Sequence, residues 1–143
     1  LVRTAAVAGT LYASTLRRAQ ETARAVAGDR QFLTDSVFVE APLPPPHLPD
    51  WFKLPPRLWG VVARFWWHVF DHHDGQESRA EAELRAARAA QILIQRSFEG
   101  RDVLVLAHGY FNHMIGQKLQ AEGWKLIENQ GFKYWCQRRY RRS

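Results

Sequence analysis

Apolar and polar positions along the chain alternate between two kinds of pattern. The most concentrated apolar run is Val103-Leu104-Val105-Leu106-Ala107, which stops at His108-Gly109. Such a run suits a strand buried on both faces, as in a parallel sheet. Residues 110–119 then read as a helix that Gly123 closes. Upstream, the Ala-rich residues 1–9 predict the tail of a helix ending at Gly9, and residues 10–13 a short strand. A helix follows with Ser14 or Thr15 as its N-cap and Leu16, Ala19, Ala23 and Val26 on its buried face. Residues 36–40 predict a second strand. Residues 57–70 predict a helix with Leu58, Val61, Val62, Phe65, Trp66 and Val69 as a core-facing stripe. Ser78 and Glu81 form a capping-box pattern. The helix they start runs to about Phe98, with Ala80, Leu84, Ala87, Ile94 and Phe98 inward. Residues 131–137, carrying Phe132, Tyr134 and Trp135, predict a final strand near a sheet edge. Strands alternating with helices point to an α/β domain: a three-layer sandwich with a mostly parallel sheet between helices.

Composition narrows the class without naming a chemistry. The 143 residues are 46% hydrophobic, enough for a single domain over residues 1–143 with one core. The Pro-rich residues 42–56 read as an extended connection, and residues 42–77 as a Pro/Trp-rich insertion or lid. The lone Cys136 forms no internal disulfide and fits a reducing, cytoplasmic setting. No apolar run approaches the roughly 20 residues of a membrane span, and no signal-peptide pattern opens the sequence. The formal charge is +6, much of it in Arg138, Arg139, Arg141 and Arg142, which read as a solvated terminus. No nucleic-acid-reading motif accompanies these arginines, so neither nucleic acid nor membrane is an expected partner.

Candidate chemistry lies at three places. His108 ends a buried strand just before a helix, where open α/β sheets bind ligands; a purely structural histidine fits the same position. Arg17 and Arg18 fall in the first turn of a helix, facing the positive end of its dipole. That placement suits an anion held by guanidinium, backbone N–H groups and dipole together, or else arginines that simply reach into water. Glu77 stands just before a helix N-terminus, either as a capping aid or as a carboxyl group aimed into a site. Asp71-His72-His73-Asp74 places adjacent histidines in a loop with no further ligand spacing. No metal and no cofactor are expected.

Together these pieces resemble the histidine phosphatase, or phosphoglycerate-mutase-like, superfamily. Ser14-Thr15-Leu16-Arg17-Arg18-Ala19-Gln20-Glu21-Thr22-Ala23 is similar to the family segment S-P-L-x-R-A-x-x-T-A, with Thr15 in place of Pro. Gly75-Gln76-Glu77-Ser78 is similar to G-G-E-S, with Gln76 in place of the second Gly. Val105-Leu106-Ala107-His108-Gly109 is similar to V-x-x-H-G. The resemblance implies a phosphoglycerate-mutase-like fold and a phosphomonoesterase acting on a phosphorylated small molecule. It implies that Arg18 grips the phosphate, His108 contacts it from the opposite side, and Glu77 gives a proton to the leaving oxygen. Ser14, Arg17, Tyr110 and Asn112 are candidates to line the pocket, with Arg17 pointing away from Arg18 around the helix. His113 stands where relatives often carry Arg.

One family motif has no counterpart. The family opens its domain with a strand followed by Arg-His-Gly, whose His is the nucleophile, and no Arg-His pair occurs in these 143 residues. Leu1-Val2-Arg3-Thr4 echoes that opening with Thr4 at the His position, too close to Ser14 for the intervening loop and helix. The expectation is therefore a truncated domain lacking its first central strand. That gap leaves three outcomes: a strand borrowed in a swapped homo-oligomer, direct pairing of residues 103–106 with the strand at Leu11, or a fragment. Expected turnover is weak or absent, with phosphate or a phosphoester still bound. The alternative function is a non-catalytic phosphate-binding or protein-interaction module that uses the Trp-rich helix and the basic tail.

Overall fold

The computed structural model describes residues 1–43, 53, 55–70, 73, 75–131 and 135–142. In order, the elements are α1 (Val2–Val7), β1 (Thr10–Ser14), α2 (Arg17–Ala27), β2 (Leu33–Asp35), a 3-10 turn (Ser36–Phe38), α3 (Pro56–Phe70), α4 (Arg79–Ser97), β3 (Val103–Leu106), α5 (Gly109–Ala121), β4 (Trp124–Asn129) and β5 (Arg138–Arg142). The chain forms two compact units, residues 1–40 with 85–143, and residues 41–84.

The first unit holds an α/β core. Its sheet runs β2-β1-β3, all parallel. Leu11 pairs with Leu104 and Ala13 with Leu106, which puts four aliphatic side chains on one face. There they pack with Ala5 and Ala8 of the α1 end and Ala23, Val26 and Ala27 of α2. The opposite face carries Tyr12, whose ring lies 5.4 Å from Phe38 and whose hydroxyl accepts a 3.0 Å hydrogen bond from Arg96 of α4. The layers are thus helix, sheet, helix. Arg30 closes α1 by donating to the carbonyls of Ala5 and Ala8, which have no helical partners at that end.

Several local expectations shift. Residues 36–40 form no strand: β2 ends at Asp35, whose carboxylate accepts from Val37 N at 2.8 Å and turns the chain into a 3-10 turn. α2 is capped by neither Ser14 nor Thr15. Its N-cap is Leu16, because the Ser14 hydroxyl is used elsewhere. Leu16 is exposed rather than buried with Ala19, Ala23 and Val26. In α4 the buried seam is Ala82, Ala86, Ala89, Ala90 and Ile94, while Ala80, Leu84 and Phe98 are exposed and Ala87 is half-buried. Small residues let the helix approach closely, which larger side chains such as Leu84 would prevent. The capping box holds: Glu81 N donates to Ser78 Oγ at 3.3 Å, and Ser78 N donates to Glu81 Oε2 at 2.8 Å.

The arginine-rich tail is β5, antiparallel to β4, and residues 131–137 are the connection rather than the last strand; Phe132 and Tyr134 lie outside the described residues. β3 pairs with β1 on one edge alone among the described residues, and Val103, Leu104 and Val105 are only half-buried, so it is an edge strand and not a central one. In the second unit, α3 buries Ala63 and Trp67, one turn apart, with Trp67 Nε1 donating to the Glu77 carbonyl at 3.4 Å. The expected stripe of Leu58, Val61, Phe65 and Val69 is exposed, and Val62 and Trp66 are half-buried. Much of the Pro-rich connection, together with Asp71, His72 and Asp74, lies outside the described residues. Among the described residues no cluster suits a metal ion, and no helix is long and apolar enough to cross a membrane.

α5 seats Tyr140 of β5 over Gly116. A Cβ at position 116 would fall 1.9 Å from the Tyr140 hydroxyl, so any larger residue must displace that ring. Gly116→Ala is expected to destabilise the fold by about 1–3 kcal/mol in a denaturant titration, and to speed amide exchange in residues 138–142. Unchanged stability would mean that β5 does not depend on this contact.

Candidate functional site

The parallel pairing of β1 and β3 sets two chain ends side by side. β1 ends at Ser14, fully buried, and β3 leads through Ala107 into His108, which is 6% exposed. α2 starts three residues after Ser14 and brings Arg18 over from its first turn. The three side chains meet. Arg18 Nε donates to His108 Nδ1 at 3.2 Å, and His108 Nε2 lies 3.0 Å from Ser14 Oγ. Guanidinium nitrogens only donate, so His108 Nδ1 is the acceptor and the ring proton is assigned to Nε2, which donates to Ser14. Ser14 Oγ also accepts from Leu16 N at 3.3 Å, fixing the turn into α2.

Burial, with Arg18 adding to it, pushes the His108 pKa down to about 4. The ring is therefore neutral near pH 7. Arg18 spends one of its five N–H donors on it, and the rest of its exposed guanidinium makes no hydrogen bond among the described residues. His108 is the N-cap residue of α5, and Asn112, one turn on, closes the first helical bond to its carbonyl at 2.8 Å.

A groove of about 910 Å³ in the first unit brings Arg18, His108 and Asn112 together with Glu40. Glu40 has no counterpart in the sequence analysis. Its Oε1 accepts from Phe111 N at 3.0 Å, so a carboxylate of the chain itself already faces the positive end of α5. Arg85 secures that segment by donating to the carbonyls of Val37 and Val39 at 2.9 and 2.6 Å, with its guanidinium 3.9 Å over the Phe111 ring. An acidic residue preceding an Ala-Pro break carries no signal that it will cap a helix 70 residues away. The Asn112 Oδ1 is buried without a hydrogen-bond partner among the described residues.

The remaining candidates are placed elsewhere. Ser14 stands behind His108 rather than on the groove wall. Arg17 is turned to water and bonds Glu21 one turn along α2 at 2.7 Å. Tyr110 packs with its ring 6.3 Å from His113, and neither lines the groove. Burial and Arg138 lower the His113 pKa. Glu77 belongs to the second unit, ahead of the α4 capping box.

What the first-unit trio can do is bounded by its chemistry. It offers an exposed guanidinium, a neutral imidazole and a helix N-terminus at the carboxyl ends of two parallel strands, a placement suited to an oxyanion. The depressed His108 pKa also makes a stability statement. The unfolded ring takes a proton near pH 6.5 and the folded ring only near 4, so this contribution is complete above pH 6.5 and is lost as pH falls to 4. A denaturant series from pH 7 to pH 4 should show a loss on the order of 2–3 kcal/mol that is absent in His108→Asn. Equal slopes for both chains would place the His108 ring in water.

The model of the histidine phosphatase superfamily (branch 1) matches residues 2–134. No curated protein and no solved structure matches the chain.

Proposed function

The chain belongs to the histidine phosphatase superfamily, and on that footing we propose that it holds the phosphate of a phosphorylated small molecule between Arg18 and His108. The contact of Arg18 with His108, at the ends of the two strands, carries this reading. The anion takes the place of the imidazole as partner of the guanidinium, accepting two parallel N–H bonds from it. His108 turns from neutral acceptor to charged donor as the anion arrives, because a dianion beside it favours the protonated ring. Phosphoryl transfer is dominated by such stabilisation of charge on the phosphoryl oxygens. The family places a carboxylic acid opposite the leaving oxygen, and Glu77 is the residue of this sequence that matches its motif. These 143 residues contain no Arg-His pair to supply the family nucleophile, so the chain binds phosphomonoesters with little turnover.

Sulfate, which does not itself titrate in this range, isolates the His108 proton. Its affinity should rise as pH falls from 7 towards 4, by up to about tenfold per pH unit if one proton is taken up. Calorimetry should show Arg18→Ala weakening sulfate at least about tenfold, the scale of a charge-assisted pair. Glu40→Gln should strengthen it several-fold by removing a competing carboxylate. A pH-independent affinity, or full binding by Arg18→Ala, would refute the site. Rapid hydrolysis of a phosphomonoester by this chain would refute the low-turnover part while leaving the anion site standing.

A second reading, a protein-interaction role, draws on the exposed Leu58, Val61, Phe65 and Val69 of α3. Partner binding that survives His108→Ala and is lost in Phe65→Ser would favour it.

A further inference from the structure

α3 turns much of its apolar bulk outwards. Leu58, Val61, Phe65 and Val69 are between 49% and 66% exposed. Their spacing of three and four residues, with the half-buried Val62 among them, keeps them within an arc of about 100° of the helix surface. The opposite side is the one that buries Ala63 and Trp67. A core-facing stripe would leave nothing here for a membrane to meet; the exposed stripe does.

The borders of this face narrow the partner. Trp59 and Trp66, both half-buried, flank the arc on one side. The Trp66 ring lies 6.1 Å from Phe65 and 5.1 Å from Phe70, so aromatic rings follow the apolar row. Arg64 and His68, one turn apart, flank the other side, with the Arg64 guanidinium 5.2 Å over the Trp67 ring. Residues 51–70 contain Lys53, Arg57 and Arg64 and no Asp or Glu; the nearest carboxylates in the sequence are Asp50 and Asp71, outside the helix.

We propose that α3 lies in the plane of a lipid bilayer surface, with Leu58, Val61, Phe65 and Val69 set into the boundary between headgroups and acyl chains. Apolar burial supplies most of the attraction and scales with the area inserted. Tryptophan suits that depth, because its ring is apolar and its N–H is polar. No carboxylate on α3 has to be stripped of water, and its basic residues favour lipid phosphate. The 15 residues reach about 22 Å, short of the roughly 30 Å of bilayer hydrocarbon, so the helix rests on the membrane instead of crossing it. A second copy of this chain fits less well, because its α3 brings no carboxylate to answer Arg64. The proposal gives the exposed stripe a lipid partner in place of a protein one, and it does not rest on the phosphate site.

The test adds the full 143-residue chain to phosphatidylcholine vesicles, with and without about one-third phosphatidylserine. Co-sedimentation is expected with half-binding on the order of 0.1–1 mM lipid, the scale of one buried acyl chain, and a few-fold tighter with phosphatidylserine. Amide exchange should slow in residues 56–70. Tryptophan emission should shift to the blue, and lipids brominated near the headgroup should quench it more than lipids brominated near the chain ends. Val61→Asp and Phe65→Asp should each weaken binding at least about tenfold. Leu84→Asp, at a similarly exposed position of α4, should leave it unchanged. Circular dichroism checks that each variant is folded, and the depth of quenching tests the proposal on the unaltered chain.

No binding at about 2 mM lipid would overturn the proposal. So would binding that requires phosphatidylserine and ignores Phe65→Asp, which would assign adhesion to basic residues elsewhere in the chain. Deep quenching would overturn the in-plane placement, and a chain that dimerises through α3 before lipid is added would replace the bilayer with a second copy. Sulfate affinity should be the same with and without vesicles, so failure of either site leaves the other standing.

Discussion

The register between β1 and β3 is the constraint on which the rest of the first unit depends. Two parallel strands joined only through long connections are brought together by aliphatic burial, Leu11 against Leu104 and Ala13 against Leu106. That burial is non-directional, yet it delivers directional chemistry. Once the strands are in register, the residues that follow each apolar run emerge at the same end of the sheet. Ser14 meets His108, and the turn into α2 brings Arg18 across to the same ring. Arg30 and Arg85 extend this logic, each tying a carbonyl-rich segment into place through a side chain from a distant part of the sequence.

The electrostatics of the trio follow from where it sits. A histidine beside an arginine in a partly buried place has two reasons to remain neutral, of which burial is the larger. A neutral ring is the one state in which Nδ1 can accept from the guanidinium. The Arg18–His108 bond and the depressed pKa are therefore two descriptions of one arrangement. Glu40 completes the charge pattern by bringing a carboxylate to the amino end of α5, so the groove holds both cationic and anionic groups of the protein itself.

How far the sequence could be read differs by element for physical reasons. β1, β3, the α4 capping box and the helix after Gly109 were legible because each rests on local signals: an apolar run, a cap, a glycine. The approach of Arg18 to His108 was legible only through the order of three short motifs, since nothing local links residues 90 positions apart. Helix faces were misread where bulk was taken as the sign of burial. α4 buries its alanines and exposes Leu84, and α3 buries Trp67 while Phe65 stays exposed. β5 was hidden by its composition, because four arginines in five residues look like a solvated tail until β4 supplies a ladder. Glu40 was invisible for a similar reason: its role comes from tertiary proximity to the Phe111 amide and from no pattern around it.

The alternation of side chains along β1 has a consequence for how the protein tolerates change. Leu11 and Ala13 point to the α1 and α2 layer, while Tyr12 and Ser14 point the other way. A slip of a single residue would send the serine hydroxyl into hydrocarbon and a leucine towards the imidazole. Aliphatic packing and polar chemistry are thus two faces of one ribbon and cannot drift separately. A methyl group lost at Leu11, on the side away from the histidine, acts on the groove around His108 as surely as a substitution within it.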